Sequence, residues 1–145
     1  MLADGDGGPL SVVTAGANVH DSLLLADALE AVVTEPPDPL PGRPGHVEQH
    51  LCLDKAFDGE PSEATARVYG YVPHIRRVGE EKRDANGRRN AKKKARRWVV
   101  ERTIAWLNRC RAILVRWAKK DANYLGLIKL ACALLWYRRL HRLHN

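Results

Sequence analysis

The stretch from Trp98 to Arg109 is the feature that most constrains the fold of this chain. Its apolar residues recur at the spacing of an amphipathic helix, and a dense run of lysine and arginine leads into it. Glu101 is the only acidic residue between Asp84 and Asp121. A carboxylate in such a basic segment is either a structural ion-pair partner or a metal ligand beside a phosphate. The choice depends on whether a second carboxylate reaches it.

Length and composition favour one domain with a real core. The chain has 145 residues, of which 45% are hydrophobic and 28% charged, both ordinary values for a globular protein. It contains no apolar run long enough for a membrane span, and its first residues lack the pattern of a signal peptide. Three widely spaced cysteines without a CxxC pair favour reduced thiols in a cytoplasmic protein.

The net charge of +7 is unevenly distributed along the chain. Before residue 66 the only strong cations are Arg43 and Lys55. The following segment then carries one sweep of basic residues, namely Arg76, Arg77, Lys82, Arg83, Arg88, Arg89, Lys92, Lys93, Lys94, Arg96 and Arg97. Such a concentration is typical of a protein that binds nucleic acid, and the alternative is a solvated loop that only aids solubility.

The first third of the chain predicts a hairpin, a helix and a connector. Leu2–Asp4 and Pro9–Thr14 read as two strands around a glycine-rich turn, in which Asp-Gly pairs supply positive φ angles. Asp21 and Ser22 give an N-cap signal for a helix that continues to about Val33. Residues 34–45 contain five prolines and read as a proline-rich connector.

The remaining chain alternates strands and helices before it becomes helical. His50–Asp54 reads as a buried central strand that ends in an acid, Pro61–Tyr69 as a helix, and Tyr71–Ile75 as an edge strand. A basic loop is expected over 77–94. One helix should run from Ala95 to about Ala118, and a second, largely buried, from Asn123 to about His141. The pattern predicts an α/β domain with a mixed sheet and a C-terminal helical pair.

Asp54 and Glu101 are the candidate metal ligands. Asp54 ends a predicted buried strand, at the sheet edge where ligand sites tend to lie, and a helix packed across that edge would bring Glu101 to it. Carboxylates suit Mg²⁺ or Mn²⁺, the ions that support phosphodiester chemistry. Arg97 and Asn108 lie on the helical stripe of Glu101, so that they and Arg109 would follow a DNA backbone. The alternative is an exposed Arg–Glu pair of about 0.3–0.5 kcal/mol.

The spacing of the histidines and cysteines in the sequence predicts no further metal or catalytic site. None of the six histidines has the paired spacing of a zinc ligand set. Cys52 precedes Asp54 on the predicted strand and is expected in the core.

Four blocks of the sequence resemble DDE transposases of bacterial insertion sequences, in the order in which that family has them. The blocks cover nearly the whole chain: Thr14–Ser22, Leu53–Asp58, Trp98–Thr103 with Ala105–Arg109, and Leu130–Trp136 with Arg138–Leu140. The resemblance implies a ribonuclease H-like fold in which two aspartates and a glutamate bind two divalent metal ions that cut and join DNA. Asp54 then corresponds to the second acid, Glu101 to the third, and Arg97 to the arginine that precedes the glutamate.

The resemblance has departures that affect the expected function. Lys94 stands where a tyrosine is common in the family and Asn108 where a lysine is common, which changes DNA contacts but no metal ligand. The family's first aspartate lies on a strand before the hairpin, and Asp4 and Asp6 at the turn cannot replace it. The chain is therefore expected to be an N-terminally truncated catalytic domain, inactive alone.

The partners expected from the resemblance are DNA at transposon ends, contacted by Lys92, Lys93, Lys94, Arg97, Asn108 and Arg109, and another copy or a full-length transposase. A bacterial cytoplasmic protein, associated with the nucleoid when it binds DNA, is expected. Two alternatives stay open: a non-catalytic DNA-binding protein that inhibits transposase, and a remnant that folds poorly because an apolar sheet edge is exposed.

Overall fold

The computed structural model describes residues 1–34, 44–75 and 97–143. These residues form a mixed α/β structure, as predicted. The predicted basic loop over 77–94 and most of the proline-rich connector over 34–45 lie outside the described residues. The strands are β1 (Leu2–Ala3), β2 (Pro9–Ser11), β3 (Gln49–Leu53) and β4 (Tyr71–Ile75). The α-helices are α1 (Leu25–Glu30), α2 (Glu60–Val68), α3 (Arg97–Leu107), α4 (Arg111–Leu114) and α5 (Asp121–Leu143).

The chain divides into two compact units. The first comprises Met1–Asn18, Asp27–Val33 and Trp98–Asn145, and the second comprises Val19–Ala26 and Thr34–Arg97. Each unit contains one two-stranded sheet of the described chain, antiparallel in the first and parallel in the second. Neither of these sheets is itself mixed, so the mixed, ribonuclease H-like sheet remains a prediction.

The predicted hairpin opens the first unit. Leu2 pairs with Ser11 and Ala3 with Pro9, and Gly7 adopts a φ of 88° in the turn. Asp4 stabilises this turn, because its Oδ1 accepts hydrogen bonds from the amides of Asp6 at 2.9 Å and Gly8 at 2.6 Å. The second strand ends at Ser11 rather than Thr14, where the buried Ser11 hydroxyl donates to the carbonyl of Ala28 at 2.6 Å.

The predicted first helix begins differently from its sequence signal. The capping residue is His20, whose Nδ1 accepts from the Ser22 amide at 3.3 Å, and not Asp21 or Ser22. A 3₁₀ turn over Asp21–Leu24 leads into α1, which ends at Glu30 and not at Val33. The cap prediction was wrong because an imidazole nitrogen serves here as the acceptor that a carboxylate or hydroxyl usually provides.

The second unit is a strand–helix–strand motif. β3 and β4 are parallel and in register from Gln49 beside Tyr71 to Leu53 beside Ile75, with α2 between them in sequence. Pro61 lies in the first turn of α2 and Gly70 follows its end with a φ of 81°, as predicted.

The expectation that β3 is buried on both faces was wrong. Leu51 and Leu53 are buried, whereas the alternating residues His50 and Cys52 are exposed. Because successive side chains of a strand point to opposite faces, the face that carries Cys52 is open to solvent. Cys52 is therefore not a core residue. Among the described strands, β3 pairs only with β4, so its central position in a larger sheet stays a prediction.

The predicted C-terminal helical pair is a set of three helices. The first helix ends at Leu107 and not near Ala118, and a short α4 follows before α5. The break lets Leu107 and Ile113 reach the same core cluster, which they share with Ile128 and Ala131 of α5. The Tyr124 hydroxyl donates to the carbonyl of Ile113 at 3.0 Å and joins α5 to α4. Core packing across the break explains why helical periodicity alone overestimated the length of the first helix.

Helix α5 is less buried than its composition suggested. Ile128 and Ala131 are buried, but Leu130 is 67% exposed and Leu127 and Leu134 are also exposed, so the prediction of a largely buried helix was wrong. The helix carries apolar residues on two opposite faces, and only one of them packs on the core. No helix in the described ranges, including the 23 residues of α5, has the length and apolarity to cross a membrane.

Candidate functional site

Asp54 lies directly after β3, at the end of the strand where sequence analysis expected it. Its backbone is extended, and its carboxylate caps the 3₁₀ turn Lys55–Phe57 by accepting a hydrogen bond from the Lys55 amide. Leu51 and Leu53, buried on one face of β3, anchor the strand that carries it. Because β3 and β4 are parallel, their carboxyl ends lie at one edge of the sheet, and Asp54 stands at that edge half-buried.

Glu101 lies on the exposed side of α3. The opposite side buries Val99, Thr103 and Leu107, which recur at intervals of four residues. Glu101 is therefore turned outward by the packing of α3 and is exposed. Asn108, seven residues further, is also exposed, and its backbone N–H donates a helical hydrogen bond to the Ile104 carbonyl at 2.9 Å. Glu101 and Asn108, two of the three residues of the predicted stripe, are thus both exposed, and Asn108 lies just beyond the end of the helix.

The hairpin turn fixes the rotation of α3. The Thr103 hydroxyl lies 2.9 Å from the Gly7 carbonyl and 3.0 Å from the Val99 carbonyl, and Thr103 is 2% exposed. The Arg102 guanidinium donates to the Asp6 carbonyl at 2.6 Å and lies 4.8 Å from the centre of the Trp98 ring. These contacts determine which side of α3 faces solvent and so where the Glu101 carboxylate stands.

The same turn is also held by α5. The Trp136 indole nitrogen donates to the Pro9 carbonyl at 2.8 Å, and the Arg139 guanidinium lies 3.4 Å from Asp4 Oδ2. An added Cβ on Gly8 would lie 2.4 Å from a carbon of the Trp136 ring, so the indole packs directly on the turn. The sequence gives no signal of this role, because the Pro9 carbonyl is 127 residues from Trp136 and the Asp4 carboxylate is 135 residues from Arg139.

The basic residues of the predicted DNA surface are only partly within the described chain. Arg109 is exposed just beyond α3, and Arg97 is the first residue of that helix. Lys92, Lys93 and Lys94 lie outside the described residues. The exposed polar residues that the structure describes in this segment therefore include Glu101, Arg102, Asn108 and Arg109.

The two candidate ligands belong to different units, Asp54 to the second and Glu101 to the first. Their joint coordination of one ion stays a prediction. Within the described residues, no group of three or more His, Cys, Asp or Glu side chains is arranged to hold a metal ion. The chemistry of the two side chains fits Mg²⁺ or Mn²⁺, because each supplies carboxylate oxygens and neither is deeply buried.

Comparisons with known proteins return matches along nearly the whole chain. Residues 1–136 match the family described as "Transposase DDE domain". The Burkholderia cepacia protein named "Putative transposase for insertion sequence element IS402" is 30% identical over 145 residues, which is 98% of this chain and 63% of that relative. The chain thus spans less than two thirds of the length of the relative. No solved structure matches it at a significant level.

Proposed function

This chain belongs to the transposase DDE domain family, and from that premise we propose that it takes part in metal-dependent cleavage and joining of DNA at the ends of an insertion sequence. Asp54 and Glu101 are the catalytic carboxylates in this proposal and bind Mg²⁺ or Mn²⁺. A ribonuclease H-like arrangement of the sheet would bring the two together. The DNA backbone is contacted by Arg97, Asn108, Arg109 and the lysines at 92–94.

The position of Asp54 is the observation that carries the proposal. An acid at the carboxyl end of a parallel strand stands where α/β proteins place their ligands. Glu101 supports it independently, since the contacts of Thr103 and Arg102 with the hairpin turn keep its side of α3 exposed. If Asp54 and Glu101 served only as ion-pair partners, neither the strand-end position of Asp54 nor the exposure of Glu101 would be required.

The protein's contribution to the chemistry is binding and orientation. Bound divalent ions would activate the attacking oxygen and stabilise the leaving oxygen of the phosphodiester. Asp54 and Glu101 would hold the ions, and the neighbouring cations would position the phosphate. Two carboxylates are one fewer than the family resemblance implies, so we propose that the chain by itself binds the ions weakly and does not cut DNA.

Metal binding tests the pair of ligands. The affinity for Mn²⁺ is measured by titration, with the electron paramagnetic resonance signal reporting free Mn²⁺. We expect this affinity to fall by at least about tenfold in Asp54→Asn and in Glu101→Gln. The asparagine side chain retains an oxygen that can accept the hydrogen bond from the Lys55 amide, so the 3₁₀ turn Lys55–Phe57 should stay folded. Asp58→Asn, at another exposed acid four residues along, is the matched control and should bind as the parent chain does.

The double variant decides whether the two carboxylates share an ion. Ligands of one ion are coupled, so Asp54→Asn with Glu101→Gln should lose little more affinity than the worse single variant. Losses that add in binding free energy would mean two separate sites and would contradict the proposed pairing.

A nicking assay on labelled DNA with Mg²⁺ or Mn²⁺ tests the proposed inactivity. We expect no cleavage by the purified chain. Cleavage that depends on Mg²⁺ and disappears in Asp54→Ala would show that the chain is an active nuclease and would refute that part of the proposal. Asp58→Ala is the control for an unspecific effect of losing an acid.

A second candidate function is non-catalytic DNA binding, through which the chain would compete with or pair with a complete transposase. The charge distribution favours it, because 21 of the 24 lysines and arginines follow residue 75, whereas only 5 of the 17 acidic residues do. Phosphate contacts make affinity fall steeply with salt, and Arg109→Ala should reduce the slope of log K against log salt by about one. Arg67→Ala is the control, because Arg67 pairs with Glu63 at 3.0 Å. An affinity for DNA that does not change with salt concentration would exclude non-catalytic DNA binding through phosphate contacts.

A further inference from the structure

Two histidines meet on the open face of the β3–β4 sheet. His74 Nε2 lies 2.8 Å from His50 Nδ1, and the two ring centroids are 4.9 Å apart. Both side chains are exposed and belong to the same unit of the chain. Their separation of 24 residues resembles no zinc-ligand spacing, and it is the parallel register of the strands that brings them together.

Cys52 lies on the same face. It follows His50 by two residues on β3, and in the strand register it stands directly beside His74. Its thiol is free and the residue is exposed. Neighbouring strands are about 4.8 Å apart and alternate side chains of one strand share a face. His50, His74 and Cys52 therefore occupy three adjacent positions on one solvent-facing surface.

We propose that His50, His74 and Cys52 form a binding site for one divalent ion of the zinc class, Zn²⁺, Co²⁺ or Ni²⁺. Imidazole nitrogen and thiolate sulfur are the ligands that these borderline ions prefer, whereas Mg²⁺ prefers oxygen. The site is thus chemically distinct from the carboxylates of the proposed catalytic centre. A water molecule completes four-coordination, as in other zinc sites with three protein ligands.

Formation of the site requires movement of the side chains. Two nitrogens bound to tetrahedral zinc at about 2.0–2.1 Å are roughly 3.3 Å apart, so the imidazoles need to separate by about half an ångström and to turn until both nitrogens point at the ion. In the present rotamers no three such side chains of the described residues are arranged around a metal position. The proposal therefore requires a movement of Cys52 as well, and a change of its χ1 rotamer on this exposed surface would direct the thiol towards the pair.

Cobalt spectroscopy on the full untagged chain tests the site. Under reducing conditions Co²⁺ should give the visible bands of a tetrahedral complex and a thiolate-to-cobalt charge-transfer band, and added Zn²⁺ should bleach both. Cys52→Ser should lose the charge-transfer band. His74→Gln should weaken Co²⁺ binding by more than the ten- to hundredfold typical of losing a residue that only orients a metal ligand. His46→Gln and Cys110→Ser are controls that should leave the spectra unchanged.

Protection from alkylation tests the same site without any substitution. Zn²⁺ should slow iodoacetamide modification of Cys52 at least tenfold and leave the rate at Cys110 unchanged, as measured by peptide mass spectrometry. Equal rates at Cys52 with and without Zn²⁺ would overturn the proposal. A cobalt complex without a thiolate band, or one that His74→Gln leaves intact, would overturn it as well.

Discussion

Gly8→Ala should destabilise the first unit by overpacking the contact between the hairpin turn and α5. The new methyl carbon would lie 2.4 Å from Trp136 Cζ2, 2.6 Å from Trp136 Cη2 and 2.6 Å from Arg139 Nη1. The indole cannot retreat freely, because its nitrogen donates to the Pro9 carbonyl at 2.8 Å. Overpacking of this kind costs about 1–3 kcal/mol, with about 0.5–1.5 kcal/mol more if the hydrogen bond breaks.

Gly126→Ala is the matched control, the same substitution in the same unit. Gly126 lies within α5 and an added Cβ would have no neighbour within 4 Å. Alanine should therefore stabilise the helix by about 0.8–1 kcal/mol. The two alanine variants should differ in unfolding free energy by about 2–4 kcal/mol, with opposite signs relative to the parent chain.

Urea unfolding monitored by tryptophan fluorescence measures this difference in the right part of the molecule. All four tryptophans, Trp98, Trp106, Trp117 and Trp136, belong to the first unit. A Trp136→Phe background, which removes both clashing ring carbons, should reduce the cost of Gly8→Ala. A Gly8→Ala variant as stable as the parent, or an equal cost in the Trp136→Phe background, would refute the described packing of α5 on the turn.

Three further predictions concern the interior of the first unit. Thr103→Val should cost about 1–3 kcal/mol in urea unfolding, because it leaves the Gly7 carbonyl without its buried donor, whereas Thr103→Ser should cost less. Ile128→Ala should cost about 2–5 kcal/mol and Leu130→Ala under about 1 kcal/mol, because Ile128 is buried and Leu130 is exposed; equal costs would contradict the assigned buried face of α5. Burial raises the pKa of the Cys132 thiol, so the unfolded chain ionises first. Unfolding free energy should then fall as the pH rises above about 8.5, and Cys132→Ala should flatten that dependence.

The strand–helix–strand motif of the second unit could be predicted because its signals are local. Pro61 and Gly70 mark the ends of α2, and a short apolar run bounded by turn residues marks β3. The bounds agree with the sequence expectation to within one residue. Signals of this kind depend on backbone chemistry at one or two positions, and tertiary contacts do not override them.

The errors share a different physical origin. Helical periodicity continues through Asn108–Cys110 without a glycine or proline, and the break there follows from the joint packing of Leu107 and Ile113. In α5 the sequence contains two apolar faces, and periodicity cannot decide which one packs. The contact between His50 and His74 depends on the register of β3 and β4, which the spacing of the two residues in the sequence does not reveal. Each of these three features is set by packing or strand pairing between elements and not by the local sequence.

The hairpin contacts bear on how the sequence block around Glu101 is to be interpreted. Thr103 and Arg102 bond to carbonyls of the turn, and Trp136 and Arg139 hold the same turn from α5. Packing and hydrogen bonding thus account for these residues without any reference to DNA. These contacts also set the orientation of α3, whose opposite side carries the exposed Glu101. Substitutions of Thr103 or Arg102 should therefore affect the proposed metal site mainly through that orientation.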